Sequence, residues 1–162
     1  MDLLCKKNTE LKVKELDVLF QLCKYNAQSL INCNKGQKFN TEEYRNQWIR
    51  EALENNNLLC LECVENGYLI GFVFIILKED ENYINEFHII DNYRHDGKTF
   101  RYIVNGIINV SQPDKDFTGR IWSENHNAQK IFKCMGAILK DGRYRLSYNK
   151  AKEWLIKDVN SY

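Results

Sequence analysis

The chain has one proline, no long apolar run and almost no net charge. Its longest apolar run, YLIGFVFIIL (68–77), is too short to span a bilayer, so we expect no membrane association. The 23 basic and 22 acidic side chains nearly cancel, which argues against a nucleic-acid partner. The opening MDLLCKKNTE lacks the apolar stretch of a signal peptide, and we therefore expect a cytoplasmic location.

The six cysteines lack the density of a disulfide framework. Cys60 and Cys63 form a CxxC pair, a spacing that zinc and redox sites use. They lie in a predicted strand, where residues three apart point to opposite faces and do not share a ligand. We interpret both as buried free thiols and Cys134 as a buried packing residue. We expect no metal site.

The order of elements predicts one α/β domain, 1–162, with helices on the faces of a mixed sheet. Apolar spacing predicts a helix over about 10–31, and Asn40 with Glu43 resembles the capping pair of a second helix. The predicted strands are 58–64, 68–79, 82–91, 117–124 and 144–148, and the later helices are 98–108, 128–135 and 150–159. The predicted order is ααββ-βαβαβα.

One glycine, Gly97, falls where the strand ending near Asp91 turns into the helix beginning near Lys98. Backbone N–H groups at a helix start have no partner within the helix and attract anions. Glycine lets an anion approach them closely, and Arg94 and Lys98 can add charge-assisted contacts. The alternative is that Gly97 only forms a turn.

A carboxylate and an imidazole lie two residues apart in the predicted strand 82–91. Period two places Glu86, His88 and Ile90 on one face. Two ionisable groups are unexpected on a plain core face, and either can accept a proton from a substrate. The alternative is that Glu86 and His88 only satisfy each other or nearby backbone.

Three segments together resemble the GCN5-related N-acetyltransferases (GNAT). The loop RHDGKT (94–99) resembles the family's R/Q-x-x-G-x-G/A loop, and EFHIIDNYRHDG resembles the strand that leads into it. Downstream, NHNAQKIFKCMGA is similar to the segment N-x-x-A-x-x-x-Y-x-x-x-G-F, with Asn125, Ala128, Phe132 and Gly136 in register. The resemblance covers about 58–148.

This resemblance implies a GNAT-like acyl-CoA N-acyltransferase fold and an enzyme that moves an acetyl group from acetyl-CoA to a primary amine in a ternary complex. It implies that 58–148 form the cofactor-binding core, that 10–57 form substrate-side helices and that 149–162 form a C-terminal helix. Glu86 would be the catalytic base, with His88 beside it. The implied cofactor-binding residues are Phe87, His88, Ile89, Arg94, His95, Asp96, Gly97, Lys98, Thr99, Asn125 and Phe132.

Two positions depart from the family pattern. Phe132 stands where the family usually has the tyrosine that protonates the departing thiolate, and Thr99 replaces the second small residue of the loop. Tyr144 and Tyr148 are alternative proton donors. These departures leave open a second hypothesis, a non-catalytic structural or regulatory protein on the same scaffold, for example a virion component. The acceptor amine, on a small molecule or a peptide, and a homodimer are left open.

Overall fold

A computed structural model describes residues 1–28 and 38–159. Leu30 of the predicted first helix and Cys33 lie outside these residues. Five helices are described: α1 (Val13–Gln28), α2 (Glu42–Glu54), α3 (Lys98–Val110), α4 (His126–Met135) and α5 (Tyr148–Val159). Seven strands accompany them: β1 (Asp2–Lys7), β2 (Leu58–Glu65), β3 (Tyr68–Leu77), β4 (Glu81–Ile89), β5 (Asp116–Arg120), β6 (Ile138–Lys140) and β7 (Arg143–Leu146).

The seven strands form one mixed sheet in the order β1-β2-β3-β4-β5-β7-β6. The pairing of β4 with β5 is parallel, and the other five pairings of this sheet are antiparallel. The register of β4 with β5 ends at Ile84 and Gly119, although β4 continues to Ile89. The two central strands therefore separate, and the last residues of β4 pair with β3 alone.

Two apolar cores cover the two faces of this sheet. Residues of α3, α4 and α5 pack on one face, and residues of α1 and α2 pack on the other. Cys63 belongs to the first core and Cys60 to the second, which confirms that this CxxC pair points to opposite faces. Burial raises the pKa of Cys63 to about 11. Cys134, in contrast, is exposed, so its interpretation as a buried packing residue was wrong.

The helix α3 carries the apolar stripe that the sequence predicts. Ile103, Val104, Ile107 and Ile108 are all buried against the sheet. On this face Gly106 lets β1 approach, because an added Cβ would collide with the side chain of Leu3.

Three details differ from the sequence prediction. The strand β1 precedes α1, and the short strand β6 pairs with β7, so the order is βααβββαβαββα. The helix α2 is capped by Thr41 rather than Asn40, since the Thr41 side chain accepts the N–H of Tyr44.

Among the helices of residues 1–28 and 38–159, none is long and apolar enough to cross a membrane.

Candidate functional site

Glu86 and His88 form a hydrogen-bonded pair on β4. The atoms His88 Nε2 and Glu86 Oε2 are 2.6 Å apart, and the two side chains are 17% and 18% exposed. Both point to the face that α1 and α2 cover. Ile90, which period two placed on the same face, lies beyond the end of β4 and packs against the opposite core. The sequence prediction was therefore right for the pair and wrong for Ile90.

Two helices contribute donors to the Glu86 carboxylate. Trp48 of α2 donates its Nε1–H to Oε1 at 3.2 Å, and the Cys23 thiol of α1 lies 3.9 Å from Oε2. Burial, followed by the charge of Glu86, raises the pKa of Cys23 well above its ordinary value. Burial and the same charge also raise the pKa of Tyr44. Trp48 and Cys23 therefore bring donors from α2 and α1 to the two oxygens of Glu86.

The His88 ring is held on its other sides by Asn26 and Phe72. Asn26 Nδ2 lies 3.1 Å from His88 Nδ1, and Phe72 stacks on the ring with a centroid distance of 5.4 Å. Arg94 donates from Nη2 to Asn26 Oδ1. Because α1 and β3 each supply a contact to the ring, and Arg94 holds Asn26, the ring has one defined orientation.

Cys23, Glu86 and His88 also have the donor types of a metal site, with ligand atoms within 4.8 Å of one another. A metal-bound histidine usually donates its second ring N–H to an acceptor. Here the amide nitrogen of Asn26, which is a donor, faces that second nitrogen. The surroundings of His88 thus suit a hydrogen-bonded carboxylate–imidazole pair better than an ion.

The predicted anion-binding loop has the expected backbone. Gly97 adopts a left-handed conformation, with φ of 70°, and immediately precedes α3. A Cβ added there would meet nothing within 4 Å among the described residues, so the space beside the Gly97 Cα is open. This geometry leaves room for a ligand beside Gly97.

Two residues of this loop depart from the expected roles. Asp96 accepts hydrogen bonds from the backbone N–H of Lys98 at 3.0 Å and of Thr99 at 3.3 Å. The Thr99 side chain is fully buried, and its hydroxyl has no hydrogen-bond partner among the described residues. Any contact from Thr99 to a ligand would therefore come from its backbone amide, which Asp96 now occupies.

Arg94 lies beside this loop but makes structural contacts. Its Nε donates to the carbonyl of Ile89 at 2.8 Å, and its Nη1 pairs with Asp91 at 2.9 Å. His95 and Lys98 are exposed next to it. Positive charge is available in the loop, although the guanidinium of Arg94 already has partners.

The part of β4 that has no β5 neighbour includes the Glu86–His88 pair and runs toward the loop 94–99. Phe87, His88 and Ile89 all lie beyond the point where β5 leaves β4. Phe87 faces away from His88 and stacks on Phe100 of α3 at 5.4 Å. The backbone of these three residues therefore borders the gap between the two strands.

Phe132 of α4 lies near the mouth of the same gap. Its ring stacks on Tyr144 at 4.5 Å, and both line an apolar cavity of about 30 Å³. Tyr144 is buried, and burial raises the pKa of its phenol. Tyr148 instead donates to the carbonyl of Ile108 at 3.2 Å. Of the two alternative donors, Tyr144 is the one that stacks on Phe132.

Asn125 caps α4, since its side chain accepts the N–H of Ala128 at 3.2 Å. Gly136 ends this helix in a left-handed conformation. Both residues of the downstream segment therefore have a structural reason for their position, and the observed contact of the Asn125 side chain is that of a helix cap.

The sequence did not indicate Cys23, Asn26 or Trp48 as site residues. Trp48 is a buried residue of α2, and its indole N–H donates to Glu86. Asn26 lies on the helix face of α1 that meets β4, 62 residues away in sequence. The one indication in the sequence was that Asn26, a polar residue, follows Leu19 and Cys23 at helical spacing, on the face of α1 that is otherwise apolar.

Comparisons with known proteins give a match at the level of structure. No protein-family model and no curated protein sequence matches this chain. An acetyltransferase from Thermus thermophilus superposes with a TM-score of 0.69 at 12% identity, over 91% of this chain and 97% of that one. The PaiA N-acetyltransferase from Thermoplasma acidophilum, in complex with coenzyme A, gives 0.67 at 15% identity, over 91% and 100%. A GNAT-family acetyltransferase from Streptococcus agalactiae gives 0.62 at 16%, over 90% and 95%.

The sheet order, the separation of β4 from β5 and these superpositions define the class. This chain has the fold of the GCN5-related N-acetyltransferases, which confirms the fold expected from the sequence resemblance.

Proposed function

We propose that this protein is an N-acetyltransferase that uses acetyl-CoA and acts on a primary amine. The observation that carries the proposal is the position of the Glu86–His88 pair. The pair lies on β4 where that strand loses its β5 neighbour, and it points to the face of α1 and α2. A proton acceptor at a gap between strands, on a strand that leads into a helix start, is an arrangement suited to acyl transfer.

The residues fit coenzyme A in two respects. The backbone of 87–89 borders the gap, where an extended amide-containing arm can pair with a strand edge. The space in front of Gly97 is open, and the start of α3 attracts phosphate. One feature opposes binding: Asp96 must leave the amides of Lys98 and Thr99 before a phosphate can accept from them. The complex of the Thermoplasma protein with coenzyme A supports this ligand.

Glu86 has the role of proton acceptor in this proposal. Acetyl-CoA supplies an acyl carbon activated as a thioester. Glu86 takes the proton of the amine, directly or through a water, as the nitrogen forms the new N–C bond and the C–S bond breaks. Phe132 has no proton for the departing thiolate, so the thiolate leaves without help from that position. Backbone donors at the gap can stabilise the carbonyl oxygen as its negative charge grows.

Direct transfer fits the site better than a covalent enzyme intermediate. Cys23 is the thiol beside Glu86, and it is fully buried. Since burial and the Glu86 carboxylate both raise the pKa of Cys23, this thiol stays protonated at neutral pH. We therefore assign it no acyl-carrying role.

The experiment is an acetyl-CoA assay that measures release of the free thiol of coenzyme A against a panel of amines. The panel contains polyamines, amino sugars, aminoglycosides, free amino acids and peptides with free N-termini. We expect at least one class to raise thiol release well above the rate without amine, with the acetylated product seen by mass spectrometry. Binding of acetyl-CoA without turnover on any class would contradict the proposal.

The second candidate function is a non-catalytic protein on this scaffold. Phe132 at the tyrosine position and Asp96 on the α3 amides favour it. The two candidates predict different results for Phe132→Tyr. The restored proton donor should raise turnover in an enzyme and should give none in a non-catalytic protein. The cytoplasmic location and the absence of nucleic-acid and membrane partners stay predictions, and a homodimer stays open.

A further inference from the structure

We propose that Asn26, oriented by Arg94, is a positioning residue that fixes the tautomer of His88. It thereby keeps the pair on β4 as a neutral imidazole that donates to a Glu86 carboxylate. The tautomer follows from contacts alone, whereas its catalytic consequence rests on the proposed function.

The Asn26 amide has a defined orientation. A guanidinium has only donors, so the Asn26 atom that Arg94 contacts must be the carbonyl oxygen. The amide nitrogen then faces His88 Nδ1, at 3.1 Å. Arg94 is itself held by the carbonyl of Ile89 and by Asp91, which keeps its guanidinium in this position.

This orientation determines where the proton of the His88 ring lies. Asn26 Nδ2 is a donor, so His88 Nδ1 must accept and carries no hydrogen. In a neutral ring the proton is then on Nε2, which lies 2.6 Å from Glu86 Oε2. The stacked ring of Phe72 restricts the imidazole plane and keeps both contacts aligned.

Three other ionisable groups lie around the Glu86–His88 pair. The ionisable groups that face it are Cys23 from α1, Tyr44 from α2 and Arg94 from the loop after β4. Cys23 and Tyr44 both have a pKa raised by burial and by the Glu86 charge, so both are neutral near pH 7. Arg94 reaches His88 through Asn26.

The consequence is a division of roles between Glu86 and His88. Nε2 of His88 already carries a proton, and Nδ1 is covered by Asn26, so His88 cannot accept the proton of an amine. It orients the carboxylate instead, and Glu86 receives the proton. Replacing the Asn26 donor by an acceptor would move the ring proton to Nδ1 or add a second one, and Glu86 would lose its neutral donor.

The test is long-range ¹⁵N–¹H NMR of the histidine rings near pH 7, with the His88 signals assigned by their loss in His88→Asn. The wild type should show Nε2 protonated and Nδ1 bare. Asn26→Asp, which has the same shape but presents only acceptors, should show a protonated Nδ1. The matched control is Gln28→Glu, which makes the same amide-to-acid change at an exposed position of α1 that contacts Asn40, and it should leave the ring unchanged. If Asn26→Asp does not fold, Arg94→Leu replaces it and should give a mixture of tautomers.

Protonated Nδ1 in the wild type, or an unchanged ring in both variants, would overturn the assignment. In the acetyltransfer assay Asn26→Asp should lower kcat by roughly tenfold or more with little change in KM for acetyl-CoA. An unchanged kcat would overturn the positioning role. The NMR needs no substrate, so the expected tautomer together with a protein that acetylates no amine would count against the proposed function and not against the assignment.

Discussion

The carboxylate of Asp96 accepts a hydrogen bond from the backbone N–H of Lys98 at 3.0 Å, in the first turn of α3. A negative group at this position stabilises the helix through its dipole and satisfies an amide that has no partner inside the helix. In the proposed enzyme the same amides would receive the phosphates of coenzyme A. Asp96 is therefore expected to compete with the ligand and to weaken its binding.

We expect Asp96→Asn to bind coenzyme A more tightly than the wild type. Asparagine also caps helices well, so the cap survives while the negative charge beside the phosphates disappears. The dissociation constant should fall by about tenfold, equivalent to about 1.4 kcal/mol, and the gain should shrink at high salt. Calorimetric titration measures it. Asp114→Asn, which removes one charge beyond the other end of α3, is the control; an equal effect there, or no effect at position 96, would contradict the competition.

Glu86→Gln should abolish most turnover while coenzyme A binding stays unchanged. Glutamine keeps the size of the side chain and can still accept from Trp48, but it cannot take a proton from the amine. A general base typically contributes about 10²- to 10⁴-fold, and kcat should fall by that factor. Glu81→Gln makes the same chemical change at the other end of β4, where the side chain pairs with Arg145. Equal losses in the two variants would remove Glu86 from the mechanism.

Phe132→Tyr should raise kcat if the site works without its usual acid. The added hydroxyl extends from a ring that stacks on Tyr144 at the gap between β4 and β5, and we expect a gain of roughly tenfold or more. Tyr144→Phe shows in parallel whether that buried phenol already supplies the proton. A Phe132→Tyr protein that binds acetyl-CoA and gains no turnover would favour the non-catalytic scaffold.

Stability should fall at alkaline pH because buried thiols must stay protonated. Burial raises the pKa of Cys23, Cys60 and Cys63 above their ordinary value of 9.0. A raised folded pKa means that the stabilisation is complete below the unfolded value and is lost as pH rises above it. For Cys63 this window runs from about 9 to about 11, with a slope of at most about 1.4 kcal/mol per pH unit for each group.

Urea unfolding from pH 7.5 to 10.5 measures this loss. Cys63→Ala should make the fall shallower, although it lowers stability at every pH by leaving a cavity. Cys134→Ala, at an exposed position, should not change how steeply the free energy of unfolding falls with pH. A flat stability profile in the wild type would show that these thiols are not protected in the folded state.

Much of the fold follows from local patterns in the sequence. The stripe on α3, the alternation that separates Cys60 from Cys63 and the glycine before α3 each reflect one element, so they were predictable. The strand β1 was not, because its pairing joins Asp2 to Val64, far along the chain, and its own burial pattern does not alternate. The strand β6 has only three residues and little pattern to detect.

The candidate site likewise has a part that local sequence patterns indicate and a part that they do not. Glu86 and His88 were predictable because both lie on one strand. Their partners Cys23, Asn26 and Trp48 come from α1 and α2, 38 to 63 residues away, and only the packing of both helices on the sheet brings them to β4. Asp96 carried an expected role as a cofactor contact, whereas its position on the α3 amides depends on backbone geometry that the residue types do not specify.

The most direct test of the central claim is the thermal unfolding of the protein with and without acetyl-CoA. At about a hundred times the dissociation constant a ligand stabilises by roughly 2.7 kcal/mol, which gives a clear rise in Tm. Gly97→Glu should lose this rise, because its side chain would project into the open space before α3. The matched control is Gly67→Glu, since Gly67 also has a positive φ, of 81°, and open space around it, but lies in the turn between β2 and β3.

The account predicts a rise in Tm for the wild type and Gly67→Glu, and none for Gly97→Glu. No rise in the wild type at millimolar acetyl-CoA, or an equal rise in both variants, would contradict it.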